Sequence, residues 1–129
     1  MGKTGALPDP LRRAFAAALQ KSDATWGDLF GDDVFYDLNY SDLFLRMWLS
    51  EQKHFRKTEL YPFMYKVSHR TAVKYVQLAI DRGLLQESTD PTDRRARLIS
   101  MSPTLRRRLE RFIDASVQTF LDGPFQLKR

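Results

Sequence analysis

Three features of the sequence predict a mainly α-helical fold with one small β-hairpin. Apolar residues recur at helical spacing over several segments. Capping residues, prolines and glycines punctuate those segments as starts and stops. Two short strand-like runs, Leu84 to Thr89 and Ala96 to Met101, flank a turn-rich charged tip.

Met1 to Leu7 reads as a loose tail. Asp9-Pro10 then opens a helix, a capping carboxylate followed by proline at the first helical position. Leu11, Phe15 and Leu19 repeat every four residues and carry the helix from Pro10 to about Lys21. From Ala24 to Tyr40, Trp26, Phe30, Phe35, Tyr36 and Tyr40 alternate with aspartates, and Gly27 and Gly31 interrupt them. This stretch reads as a loop or short helical turn whose aromatics pin it to the core. Its aspartates lack the EF-hand spacing for calcium.

Ser41 or Asp42 caps the next helix, which runs to about His54 with Leu43, Phe44, Met47, Trp48 and Glu51 on one face. Thr58 caps a short third helix holding Leu60, Phe63 and Met64. Pro62 keeps it short or irregular at its start, because only a first turn tolerates a missing N–H. Ser68 caps a fourth helix to Arg82, ended by Gly83. Val73, Val76 and Ile80 form its buried stripe, and Arg70, Lys74 and Gln77 its opposite face. After the hairpin, Ser102-Pro103 starts a last helix whose apolar positions run from Leu105 to Leu121, until Gly123-Pro124 stops it.

Composition narrows the function. The 129 residues fit one compact domain, divided into an N-terminal helix and aromatic/acidic segment (1–40), a middle region (41–103) and a C-terminal helix and tail (104–129). Without cysteine there is no disulfide, thiolate metal site or cysteine nucleophile, and two histidines cannot build a multi-histidine site. No nucleophile–base pair stands out. Gly2-Lys3-Thr4 lacks the upstream glycine and strand of a phosphate loop, so neither an enzyme nor a cofactor is expected. No signal peptide or membrane span is evident, which points to the cytoplasm. Net charge is +5, and residues 56–129 hold fifteen Lys/Arg against eight Asp/Glu, a local excess of +7. A basic excess confined to one part of a fold suits an anionic partner, most often nucleic acid.

The order of helix, short helix, tight turn, helix, hairpin and long helix is the winged helix-turn-helix plan, and its long terminal helix, with one apolar stripe, suits a dimer seam. A helix N-terminus offers free N–H groups to phosphates, and side chains on its first turns reach base edges in the major groove. Arg70 and Lys74 lie four apart on one face, where a long cation has no core role. Arg70 suits bidentate reading of guanine, and Lys74 a phosphate. Arg94, Arg95 and Arg97 cluster on the hairpin, whose tip can enter a minor groove. The basic run Arg106, Arg107, Arg108 and Arg111 reads as a solvated face. Trp26, Trp48 and Phe55 read as core.

The residues Val67-Ser68-His69-Arg70-Thr71-Ala72-Val73, then Asp81-Arg82-Gly83-Leu84-Leu85, then Asp90-Pro91-Thr92-Asp93-Arg94-Arg95 through Ser102-Pro103, resemble the MarR family of transcriptional regulators. The resemblance covers about Thr58 to Arg111 and is strongest at the wing. It departs from the family at Tyr65-Lys66, where a small residue is usual, at Pro62, and at Leu105 in place of a glycine. The N-terminal part is short and atypical for the family. The resemblance implies a bacterial homodimer that binds double-stranded DNA at a pseudo-palindromic operator. Arg95 would be the wing-tip arginine and Asp93 would hold its guanidinium. Ser68, His69, Arg70, Thr71 and Lys74 would face DNA, with Lys66, Arg94 and Arg97 beside them. A small-molecule effector is left undefined. The alternative is a winged-helix protein–protein interaction module using the Trp26–Tyr40 surface.

Overall fold

The computed structural model describes residues 6–31 and 33–126; the Gly2-Lys3-Thr4 motif, most of the N-terminal tail and Asp32 lie outside them. The chain divides into two compact units, Met1–Gly31 with Glu110–Arg129, and Asp32–Leu109.

The first unit holds α1 (Asp9–Phe30) and the second half of α5 (Pro103–Asp122). Pro8 stands at the N-cap, and Asp9 sits in the first turn without capping the helix. The helix does not stop near Lys21. It runs on through Trp26 to Phe30, because its buried stripe is Ala18, Ser22, Trp26 and Phe30, every fourth residue. That burial outweighs the roughly 1 kcal/mol that Gly27 costs inside a helix. The expected stripe lies on this same face but is only partly covered: Phe15, packed on Phe120 at 5.2 Å, is 39% exposed and Leu19 50%. Gly31, at φ 60°, ends the helix by returning its N–H to the Gly27 carbonyl. This left-handed position is one that glycine takes without penalty. Within the unit the Trp26 ring meets Phe112 edge-on at 4.9 Å, and the Ser22 and Ser116 hydroxyls are 2.6 Å apart. A groove of about 350 Å³ is lined by Leu7, Leu11, Arg12, Phe15 and Phe125.

The second unit begins with a 3-10 turn, Asp33–Tyr36, and α2 (Leu38–Leu49). The cap of α2 is Asp37, not Ser41 or Asp42. Its carboxylate accepts the Asn39 N–H at 2.8 Å, while the Ser41 hydroxyl donates back to the Leu38 carbonyl. Helix α2 ends at Leu49, earlier than His54. Tyr40, Leu43, Phe44 and Met47 fill its core face, whereas Trp48 is 36% exposed, contrary to its expected core role.

Helix α3 (Lys57–Leu60) is one turn long and passes into a 3-10 turn, Tyr61–Met64. Its N-cap is Arg56, not Thr58, and the Arg56 N–H is accepted by the Glu59 carboxylate at 2.8 Å. Pro62 removes a donor at the switch to 3-10 geometry, so the irregularity falls in the second half of the segment and not at its start.

Helix α4 (His69–Asp81) starts where the sequence predicts, with the Ser68 hydroxyl accepting the Thr71 N–H at 3.2 Å. At its end the Gly83 and Leu84 N–H groups return to the Ile80 and Ala79 carbonyls, both at 3.0 Å. This is a Schellman closure, with Gly83 at φ 78°. The buried residues are Ala72, Val76 and Ala79; Ile80 is half-buried and Val73 exposed, so the stripe is rotated from the predicted one. Strands β1 (Leu85–Thr89) and β2 (Arg97–Met101) pair antiparallel from Leu85↔Met101 to Thr89↔Arg97. Phe55 adds a single bridge to Ile99. The Ser102 hydroxyl accepts the Leu105 N–H at 3.0 Å and opens α5, which buries Leu105 and Leu109 in this unit. The outcome is the mainly helical winged helix-turn-helix that the element order predicts.

Candidate nucleic-acid interface

All the expected contact residues lie in the second unit. Ser68 is the N-cap of α4, and His69, Arg70 and Thr71 form its first turn. Ser68, His69, Arg70 and Lys74 are exposed, and Thr71 is half-buried. The Ser68 hydroxyl also bonds the Thr71 hydroxyl at 3.1 Å, so the cap occupies two of the residues expected to face DNA. His69 packs against the edge of Tyr61, ring centroids 5.0 Å apart. Among the described residues, no carboxylate lies within ion-pair distance of Arg70 or Lys74. These cations are held out to solvent with their charge uncompensated locally.

A set of polar contacts fixes α4 against α2. The Tyr75 hydroxyl donates to the second oxygen of Asp37 at 2.6 Å, and the Tyr40 hydroxyl donates to the Tyr75 carbonyl at 2.9 Å. The Tyr40 and Tyr75 rings stack at 4.8 Å and 7°. Burial pushes the Asp37 carboxyl up, but the bonds from Tyr75 and Asn39 outweigh it and hold it below the ordinary carboxylate range. The same bond to Asp37 pushes the Tyr75 phenol up. Sequence reading missed this network, because nothing local marks a tyrosine as the partner of a cap 38 residues away.

The wing is built around Asp90, the first residue of the turn-rich charged tip. It is only 8% exposed. Its carboxylate accepts the Thr92 N–H and hydroxyl at 2.9 and 2.8 Å, and its other oxygen meets the Arg56 guanidinium at 3.6 Å. The bonds from Thr92 hold this carboxyl below its ordinary value. Asp-x-Thr is the signal that was available, since an aspartate readily bonds backbone two residues on. Below Asp90, Lys57 of α3 reaches Glu87 of β1 at 3.4 Å.

At the tip the Asp93 carboxylate accepts the backbone N–H of Arg95 at 3.1 Å. Among the described residues it makes no ion pair with the Arg95 guanidinium, so the expected side-chain clamp is replaced by a backbone one. Arg94, Arg95 and Arg97 are all exposed. In the Trp26–Tyr40 segment of the protein-interaction alternative, Trp26, Phe30, Phe35 and Tyr40 are buried, while Val34, Tyr36 and Leu38 are exposed. Among the described residues, no group of histidines and acids can hold a metal ion, and no helix is long and apolar enough to cross a membrane.

No family model and no curated protein matches the chain in sequence. Solved structures do match in fold. A point mutant of MepR from S. aureus, bound to an oligodeoxyribonucleotide, aligns at a TM-score of 0.65 and 16% identity, over 92% of this chain and 81% of the other. The transcriptional regulator Tm0710 from Thermotoga maritima aligns at 0.60 and 18%, over 89% and 78%. Sco3205, a MarR family transcriptional regulator from Streptomyces coelicolor in complex with DNA, aligns at 0.51 and 18%, over 99% and 82%. The chain has the MarR-type winged-helix fold. Within that MarR-type fold, α4 stands in the place of the second helix of the helix-turn-helix and β1–β2 in the place of the wing.

Proposed function

We propose that the chain is a sequence-specific, double-stranded DNA-binding transcriptional regulator. It is not an enzyme, it needs no cofactor, and it works in the cytoplasm as a homodimer on a pseudo-palindromic operator. The observation that carries this reading is the set of exposed cations on two adjoining elements. Arg70 and Lys74 stand on α4, and Arg94, Arg95 and Arg97 on the wing. Among the described residues, none of the five meets a carboxylate within ion-pair distance. Arg70 reads bases in the major groove, with Ser68, His69, Thr71, Lys66 and Lys74 on bases or phosphates beside it. Arg95 enters the minor groove, flanked by Arg94 and Arg97 and aimed by the Asp93-braced turn. The likeness to regulators solved with DNA supports the reading by analogy of fold.

Selection of duplexes in vitro tests it. Recovery of an inverted repeat, with half-site centres about 34 Å apart, is the expected outcome. Arg70→Ala with Lys74→Ala abolishes retention of that duplex, and Arg95→Ala weakens it with little loss of stability. Retention of no duplex at low salt overturns the proposal.

A further inference from the structure

The turn between the 3-10 segment and α4 carries an aromatic residue that the core does not use. Tyr65 is 64% exposed. The Arg46 guanidinium carbon, from the last turn of α2, lies 5.5 Å from the centroid of its ring, and the Lys66 ammonium lies 5.6 Å from the same centroid. Both cations are exposed, and among the described residues neither meets a carboxylate within ion-pair distance. Two like charges gathered on one solvent-facing ring, with no acid to neutralise them, form a concentrated positive site. The ring attracts each cation through its quadrupole and restricts where the long side chains point. An arginine fixed in this way loses less freedom when it forms paired bonds to a phosphate.

Position identifies the partner. Lys66 stands two residues before Ser68, the N-cap of α4, so the cluster adjoins the helix end that offers N–H groups to phosphates. Arg46 comes from a different helix, 19 residues before Tyr65, and folding alone brings it there.

We propose that Arg46, Tyr65 and Lys66 form a clamp for the DNA sugar-phosphate backbone. Arg46 and Lys66 contact phosphates, and Tyr65 is a positioning residue that orients Arg46. The clamp contributes affinity without reading sequence. This inference rests on the duplex-binding reading above and adds Arg46 and Tyr65 to its contact surface.

The test is fluorescence anisotropy with a labelled duplex of about 30 base pairs and arbitrary sequence, titrated from about 50 to about 200 mM salt. Arg46→Ala and Lys66→Ala each flatten the dependence of log affinity on log salt by roughly 0.9, the effect of one lost phosphate contact. The loss is equal on unrelated duplexes. Tyr65→Ala weakens binding, Tyr65→Phe binds as the unsubstituted chain does, and Tyr65→Ala adds little once Arg46 is already alanine. Thermal melts verify that each variant is folded, as expected for exposed positions. If Arg46→Ala and Tyr65→Ala bind with unchanged affinity and salt slope while Arg70→Ala with Lys74→Ala loses the duplex, the clamp is wrong and the regulator reading stands. If the unsubstituted chain binds no duplex at the lowest salt, both fall.

Discussion

At the scale of single residues, the Asp37–Tyr75 bond decides how α4 is held. Asp37 caps α2 with one oxygen and takes the Tyr75 hydroxyl with the other, so one carboxylate joins a helix start to the middle of α4. Tyr75→Phe removes the donor but keeps the ring stacked on Tyr40, and costs about 1 kcal/mol of stability, read by urea unfolding. The acid limb of stability follows from the same group. The folded carboxyls of Asp37, Glu59 and Asp90 lie below their ordinary values of 3.8, 4.5 and 3.8. A lowered folded pKa contributes stability that is present above the unfolded value and lost as pH falls through the folded one. The denaturation midpoint therefore holds near neutrality and declines as pH drops below about 4. Asp37→Asn lowers the neutral plateau and flattens that decline. An unchanged acid limb in Asp37→Asn would show that Asp37 carries none of the dependence.

At the scale of elements, the wing is stiffened both at Asp90 and at its tip. Asp90 ties the Thr92 turn to Arg56, at the cap of α3, and the Asp93 carboxylate braces the backbone of Arg95. Asp90→Asn weakens the ion pair to Arg56 and makes a poorer acceptor for Thr92. Exchange of the Thr92, Arg95 and Ala96 amides accelerates, and duplex affinity falls, while the melting of α2 and α4 changes little. Equal acceleration throughout the unit would instead mark Asp90 as a general stabiliser.

The elements that were legible in the sequence are those whose ends are set by local chemistry. Ser68, Gly83 and Ser102-Pro103 mark helix ends through bonds within a few residues, and the structure keeps all three. What was illegible depends on partners distant in the chain. Gly27 reads as a breaker until Trp26 and Phe30 are seen to be buried around it. The burial of Ala72, Val76 and Ala79 in place of the Val73 stripe is set by the packing around α4, which no local pattern contains. Of the candidate site, the exposed cations were readable because a long cation opposite an apolar stripe has nowhere else to go. Arg46 was not, because only the tertiary fold brings it to Tyr65.

At the scale of the whole molecule, the question is what the first unit would do for a second unit that binds DNA as proposed. Its described parts are α1 and the later turns of α5, and two helical segments cannot cover each other on every side. Large apolar side chains are left in water: Leu19 at 50%, Val117 at 52% and Phe125 at 51% exposure. Large apolar side chains left exposed on a helical unit suit an association surface, and the commonest solution for identical chains is a two-fold dimer in which each copy offers the same patch. A two-fold dimer is also what reading an inverted repeat with two copies of α4 requires. Analytical ultracentrifugation is expected to find dimers at micromolar concentration. Leu19→Glu with Val117→Glu places charges where apolar contact is needed, at positions already open to solvent in the single chain. The variant is expected to sediment as a folded monomer, with its helical circular dichroism retained. On an inverted repeat its affinity falls to that of a single half-site, and its salt dependence becomes shallower, because half the phosphate contacts are gone. A variant that stays dimeric would place the interface elsewhere. A monomeric unsubstituted chain that still protects both half-sites would show that association of the two copies is not what spaces them.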